Sequence, residues 1–301
     1  MTSVNEQEDR LLRLLGDLPR RGAIGSVLLK EEICEGFRLQ TVLLELGDAE
    51  KAAVSVALPA DREGPYPLVV FNHSHGGNYA RGRGEFIRGS EYLQQPSFAR
   101  TLTGMGYAAC CVDMRGFNER SGKTESELVK EALWQGRVLW GMMLYDNRSL
   151  LDYMCGRPDI DESRIATVGM SMGGMMAWWL AAIDERVKAI VDICGQVDAH
   201  TLIAKRGLDH HGFYSYVPGL LKHFTTLDIQ KRIVPRPRLS LTGVHDRLCP
   251  PEGVAMLAEG LREAYEAAGC PERWQTLETG GGHMETMEMR AAWQSFLTRY
   301  L

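Results

Sequence analysis

A serine hydroxyl that is to attack a substrate must stand clear of its own backbone, and Ser171 lies in a stretch suited to that. Gly169-Met170-Ser171-Met172-Gly173 follows the apolar run Arg164 to Val168 and leads into the apolar stretch Gly174 to Ala182. That order reads as strand, tight turn and helix, with the serine at the tip and at the positive end of the helix that follows. The hydroxyl is a poor nucleophile at neutral pH and needs a general base, normally a histidine held by a carboxylate. For a serine in this setting the expected chain order is serine, acid, histidine. Asp246 follows the apolar run Leu239 to Thr242, and His283 follows three glycines, Gly280 to Gly282, ahead of the last helical stretch. Asp192 and Asp198 are rival acids, although Asp192 sits within an apolar run and reads more simply as structural. His245 is a rival base, but it neighbours Asp246, and adjacent side chains on a turn diverge.

Attack on a carbonyl leaves an oxyanion, which two convergent N–H groups usually stabilise; loss of one such donor costs ~3–4 kcal/mol. The amide of Met172, directly after the nucleophile, is one expected donor. The other is expected from Asn72-His73-Ser74-His75-Gly76-Gly77-Asn78, whose glycines let the backbone approach a substrate, with the His75 amide favoured. His73 and His75 have the spacing of a metal pair. No third ligand in a suitable context accompanies them, so neither a metal nor another cofactor is expected.

These residues need a scaffold, and the hydrophobic pattern supplies one. Glu6 to Leu18 reads as an amphipathic helix that ends near Pro19. Three strand-like runs follow, Ser26 to Ile33, Phe37 to Leu46 and Ala52 to Leu58, separated by short turns and therefore antiparallel. The rhythm then changes to short apolar runs, Leu68 to Phe71, Ala108 to Val112, Ile165 to Val168, Ala189 to Ile193 and Leu239 to Thr242, with Trp274 to Leu277 strand-like as well. Such runs suit parallel strands covered on both faces. Helices are expected over Pro96 to Met105, Gly136 to Met154, Met172 to Ile183, Pro251 to Ala268 and Glu285 to Leu301. The order predicts an α/β fold with a mostly parallel, doubly wound sheet and antiparallel N-terminal strands.

Two stretches, 117–134 and 198–232, leave this scheme. Long excursions at strand ends often overhang a site. The second carries Phe213, Tyr214 and Tyr216, candidates for a wall of the substrate pocket, although surface packing explains such residues equally well. Arg115, close to Asp113, reads as a loop anchor, and Trp178-Trp179 as helix packing. Asp146-Asn147-Arg148 and Asp152 read as a solvated or salt-bridged helix face.

The 301 residues, 45% of them hydrophobic, suffice for one large α/β domain spanning 1–301. The net charge of −5 and dispersed lysines and arginines argue against nucleic acid as a partner. No run reaches the ~18 apolar residues of a membrane span, and the first ten residues lack the basic and apolar pattern of a secretory signal. Seven cysteines without a C-x-x-C pair are best read as reduced thiols, and the vicinal Cys110 and Cys111 should point to opposite faces of a strand. A cytoplasmic protein is therefore expected. Nothing in the chain specifies an oligomeric state.

From about Pro65 onward the chain resembles the α/β-hydrolase superfamily, and within it the dienelactone hydrolase-like and acetyl xylan esterase-like group. The resemblance rests on Asn72 to Gly77, Asp113-Met114-Arg115-Gly116-Phe117, Asp152-Tyr153-Met154 followed by Arg157 to Asp161, Gly169 to Gly174, Pro235-Arg236-Pro237, and the Asp246 and His283 positions. It implies the α/β-hydrolase fold and a Ser171-Asp246-His283 carboxylic-ester hydrolase, without a cofactor, that forms an acyl-enzyme with a small-molecule ester. One departure is Ser74, where a glycine often follows the loop histidine. A peptidase or amidase of the prolyl oligopeptidase-like type shares the elbow and triad, but only about 65 residues precede the core, too few for its propeller. A non-catalytic binding protein on this fold would be marked by loss of a triad residue, and none is lost.

Overall fold

The computed structural model describes residues 10–19, 22–34, 36–46 and 50–301. Of the expected N-terminal helix, residues 10–14 are helical, and Leu11 and Leu15 are fully buried; residues 6–9 lie outside the described residues. Nine strands form one sheet: β1 (Gly25–Cys34), β2 (Phe37–Glu45), β3 (Lys51–Pro59), β4 (Tyr66–Asn72), β5 (Ala108–Val112), β6 (Ile160–Met170), β7 (Ala189–Ile193), β8 (Arg238–Gly243) and β9 (Trp274–Thr279). Their order is β1-β2-β3-β5-β4-β6-β7-β8-β9. The first three and β5 pair antiparallel, whereas β5, β4, β6, β7, β8 and β9 run parallel, as the change of rhythm along the chain predicts.

Helices cover both faces: α1 (Gly84–Arg88), α2 (Phe98–Gly104), α3 (Glu125–Trp134), α4 (Leu139–Cys155), α5 (Met172–Ile183), α6 (Ala199–Lys205), α7 (Thr226–Lys231), α8 (Pro251–Ala267) and α9 (Met287–Tyr300). Successive strand side chains point to opposite faces, so Leu68 and Val70 join the core under α4 and α5, while Val69 and Phe71 join the core under α2 and α9. Cys110 and Cys111 likewise part company between the two cores. None of the seven cysteines is in a disulfide. Among the described residues no helix is long and apolar enough to cross a membrane.

The two excursions are mostly helical. Segment 117–134 holds a 3₁₀ turn and α3, whose start is sealed by a capping box between Thr124 and Glu127. Segment 198–232 holds α6, three 3₁₀ turns and α7. Helices of five to seven residues, such as α1, α6 and α7, are too short to display a period. Of the two readings of the helix face around Asp146, solvated or salt-bridged, the structure shows the salt-bridged one, with its centre buried. Asp146 and Asn147 are buried, and Asp146 receives Arg115 in a bidentate pair (2.9 and 3.0 Å) as well as Arg120 (2.7 Å). Arg148 and Asp152 do form salt bridges, to Asp184 and Arg186.

Candidate active site

β6 is flanked by β4 and β7 within the sheet, and the chain turns from its end directly into α5. Ser171 holds that turn at φ 55°, ψ −120°, a backbone region that non-glycine residues seldom occupy. Its N–H donates to the Ile193 carbonyl (2.8 Å), and its carbonyl accepts from Met175 N–H (2.9 Å), which fixes the strained residue from both sides. A Cβ at Gly169 would run into the Gly173 carbonyl, and one at Gly173 into the Asn72 carbonyl. The two glycines of the motif are thus what allow the turn to close against β4.

The structure brings Ser171, His283 and Asp246 together. His283 Nε2 lies 2.7 Å from Ser171 Oγ, and His283 Nδ1 lies 2.8 Å from Asp246 Oδ2. The loops after β8 and β9 are tied to each other by Val244 N–H to the Thr279 carbonyl (2.9 Å) and His245 N–H to the Gly281 carbonyl (3.0 Å). Asp246 Oδ1 accepts from the amides of Leu248 (2.8 Å) and Cys249 (3.3 Å), which leaves Oδ2 for the imidazole. Burial opposes the charge of Asp246, but the hydrogen bond from His283 and the backbone donors outweigh it and hold the carboxyl below the usual range. A carboxylate at Nδ1 keeps the proton there and turns the Nε2 lone pair toward the Ser171 hydroxyl.

The rivals have other work. Asp192 is fully buried between Arg238 (2.9 Å) and Ser240 (2.8 Å). Asp198 caps α6 by accepting from Thr201 N–H (2.8 Å). His245 is exposed. Among the described residues, Cys194, Asp246 and His283 offer three ligand atoms within 4.8 Å of one another. Burial pushes the Cys194 thiol up, which keeps it protonated and a poor ligand, while the other two are already bonded to each other.

The amides of Met172 and His75 meet no backbone or side-chain acceptor among the described residues, as donors reserved for an oxyanion would. The loop that carries His75 is anchored immediately before it. Ser74 N–H donates to Glu85 Oε2 (2.5 Å), and buried His73 accepts Met114 N–H at Nε2 (3.0 Å) while its Nδ1 lies 2.9 Å from the Ser74 carbonyl. His75 Nδ1 accepts Gly77 N–H (2.9 Å), and its Nε2 bonds Tyr214 Oη (3.1 Å). All four ring nitrogens are therefore engaged within the protein, and the H-x-H spacing serves the loop. Burial, with His73 and His283 close by, lowers His75 to about 4, so its ring is neutral. Glu85, buried in α1, is pushed up to about 7 by burial. Nothing in the sequence singles it out, because its partner lies eleven residues upstream and no motif spans the gap.

The three aromatic candidates separate. Tyr214 is buried, touches His75 and stacks on Trp140 (centroids 5.9 Å apart), so it braces the loop that carries His75. Its N–H donates to Glu125 (2.9 Å), which also accepts the Tyr79 hydroxyl. Phe213 is 61% exposed. Tyr216 donates its hydroxyl to the Leu208 carbonyl (3.1 Å) and lines a cavity against α5. Arg115 holds its loop through Asp146, as expected.

Known proteins share this arrangement of chain. The profile of the X-Pro dipeptidyl-peptidase (S15) family matches residues 48–275. The Bacillus subtilis (strain 168) protein named "Putative hydrolase YtaP" is 49% identical over 296 residues, 98% of this chain and 99% of its own. A glucuronoyl esterase from Solibacter usitatus superposes with a TM-score of 0.71 at 15% identity, over 99% of this chain and 94% of its own. An acetyl xylan esterase from Paenibacillus sp. R4 does so with a TM-score of 0.66 at 18% identity, over 98% and 93%. At such identities the two structures speak for the fold, which is the α/β-hydrolase fold implied by the sequence resemblance. The chain belongs to the X-Pro dipeptidyl-peptidase (S15) family and is a hydrolase of the α/β-hydrolase fold.

Proposed function

We propose that the protein hydrolyses carboxylic esters through an acyl-enzyme on Ser171. The observation that carries this is the unbroken line Ser171 Oγ, His283 Nε2, His283 Nδ1, Asp246 Oδ2, with steps of 2.7 and 2.8 Å, beside two unengaged amides. Ser171 Oγ attacks the ester carbonyl and its proton passes to His283 Nε2, while Asp246 stabilises the imidazolium. The oxyanion is met by Met172 N–H and His75 N–H. His283 then returns the proton to the departing alkoxide. Water, deprotonated by the same nitrogen, attacks the acyl carbonyl and frees Ser171. Residues Ser171, His283, Asp246 and two amides suffice for each step, and no cofactor enters the scheme.

The ester preference draws support from the two esterases whose chains overlie nearly all of this one. The matched family supports a second reading, release of an N-terminal X-Pro dipeptide by the same residues. A fluorophosphonate probe should label Ser171 and leave Ser171→Ala unlabelled; absence of labelling would favour a hydrolase-fold binder. Comparison of p-nitrophenyl acetate with glycyl-prolyl p-nitroanilide decides between ester and peptide, and faster cleavage of the anilide defeats the ester reading. Seven cysteines of which five are buried, with no C-x-x-C pair, are in keeping with a cytoplasmic location, which cell fractionation would test.

A further inference from the structure

Between α5 and the 198–232 segment lies a cavity of about 330 Å³, at the small end of the range for ligand pockets. Met175 and Trp178 form one wall, Leu202, Val217 and Ile229 face them, and His211 stands at one side. Two of these residues tie the cavity wall to the segments that carry Ser171 and Asp246. Met175 is one helical turn beyond Ser171 and bonds its carbonyl. His211 Nε2 lies 3.0 Å from the Leu248 carbonyl, on the loop that carries Asp246. Burial lowers the His211 ring below its ordinary value, so the group is neutral near pH 7. Among the described residues that line the cavity, none is acidic and none is a lysine or arginine.

We propose that this cavity receives an uncharged alkyl or aryl group of the substrate ester, which makes neutral, apolar esters the substrate class. The inference rests on the ester reading above. An ammonium, such as the free N-terminus of an X-Pro dipeptide, would lose its hydration against these walls without a carboxylate to pair it. An alkyl chain gains with each methylene buried, by about fourfold in kcat/KM. The chain can belong to the acyl or the alcohol half of the ester, and the two are separable by assay.

The test uses p-nitrophenyl esters from acetyl to decanoyl, and in parallel alkyl acetates from methyl to octyl. Wild-type kcat/KM should climb steeply along one series up to about six carbons, and the series that climbs identifies the half that is bound. Val217→Trp, and independently Leu202→Phe, fill the cavity and should lower the ratio of hexanoyl to acetyl kcat/KM (or hexyl to methyl) at least tenfold. Thermal melting of each variant shows whether it folds, and the wild-type series stands even if neither does. If wild-type protein cleaves p-nitrophenyl acetate but both series are flat, or if folded variants keep the parental ratio, the cavity proposal is overturned and the ester reading survives. If no ester of either series is cleaved, the ester reading falls and the cavity proposal with it.

Discussion

Asp246→Asn separates an acid that orients the base from an acid that merely holds the core. The backbone amides of Leu248 and Cys249 both donate to Oδ1, at 2.8 and 3.3 Å, so an asparagine keeps its carbonyl oxygen there and presents its NH₂ to His283 Nδ1. That nitrogen must then accept, which moves the imidazole proton to Nε2 and points an N–H at Ser171 Oγ. The base is lost although every heavy atom keeps its place. Such a tautomer error lowers kcat by up to ~10⁴-fold, about 5 kcal/mol of barrier. Asp192→Asn makes the opposite prediction. It strands the Arg238 guanidinium, which is fully buried with Trp274 5.4 Å from it, and breaking such a pair costs about 3–5 kcal/mol of stability. The assay is p-nitrophenyl acetate hydrolysis alongside a thermal melt for both variants. Asp246→Asn should melt like the parent and turn over slowly; Asp192→Asn should melt lower and, while folded, turn over normally. Asp246→Asn within tenfold of parental kcat, or a dead Asp192→Asn with parental Tm, refutes the assignment.

Ser171→Ala and His283→Ala should each reduce kcat by 10⁴-fold or more, and the double variant should lose little beyond either alone, because the residues act as one unit; additive losses would contradict that. Glu85 gives a pH signature. Burial pushes its carboxyl up to about 7 in the folded state against ~4.3 unfolded, so as pH rises between these values the unfolded chain releases a proton that the native state retains, and native stability falls by about 4 kcal/mol. Glu85→Gln keeps an acceptor for Ser74 N–H without the charge, so its Tm should gain on the parent from pH 5 to pH 8; a gap that does not change with pH refutes the buried acid. EDTA should leave ester hydrolysis unchanged, and complete inhibition reversed by added metal would mean that Cys194, Asp246 and His283 hold a cation.

What the chain states locally can be read locally. The Gly-x-Ser-x-Gly turn, the glycines before His283 and the apolar runs of the parallel strands each express a demand of the backbone or of burial within a few residues. The order serine, aspartate, histidine follows from where strands end, and all three lie just past the C-terminal ends of parallel strands, β6, β8 and β9. The choice between Asp192 and Asp246 is different. Each follows or occupies an apolar strand, and only the adjacency of β7 and β8 gives Asp192 its Arg238 and frees Asp246 for His283. Asp146 is the same case, a helix carboxylate that the sequence leaves as either solvated or salt-bridged until Arg115 and Arg120 arrive from another loop. Glu85 and Tyr214, which brace His75 from α1 and from 139 residues downstream, carry no local mark. Burial of a charge or a hydroxyl is paid for by a partner, and the partner is chosen by which segments the fold makes neighbours, so these roles exist only in the tertiary structure.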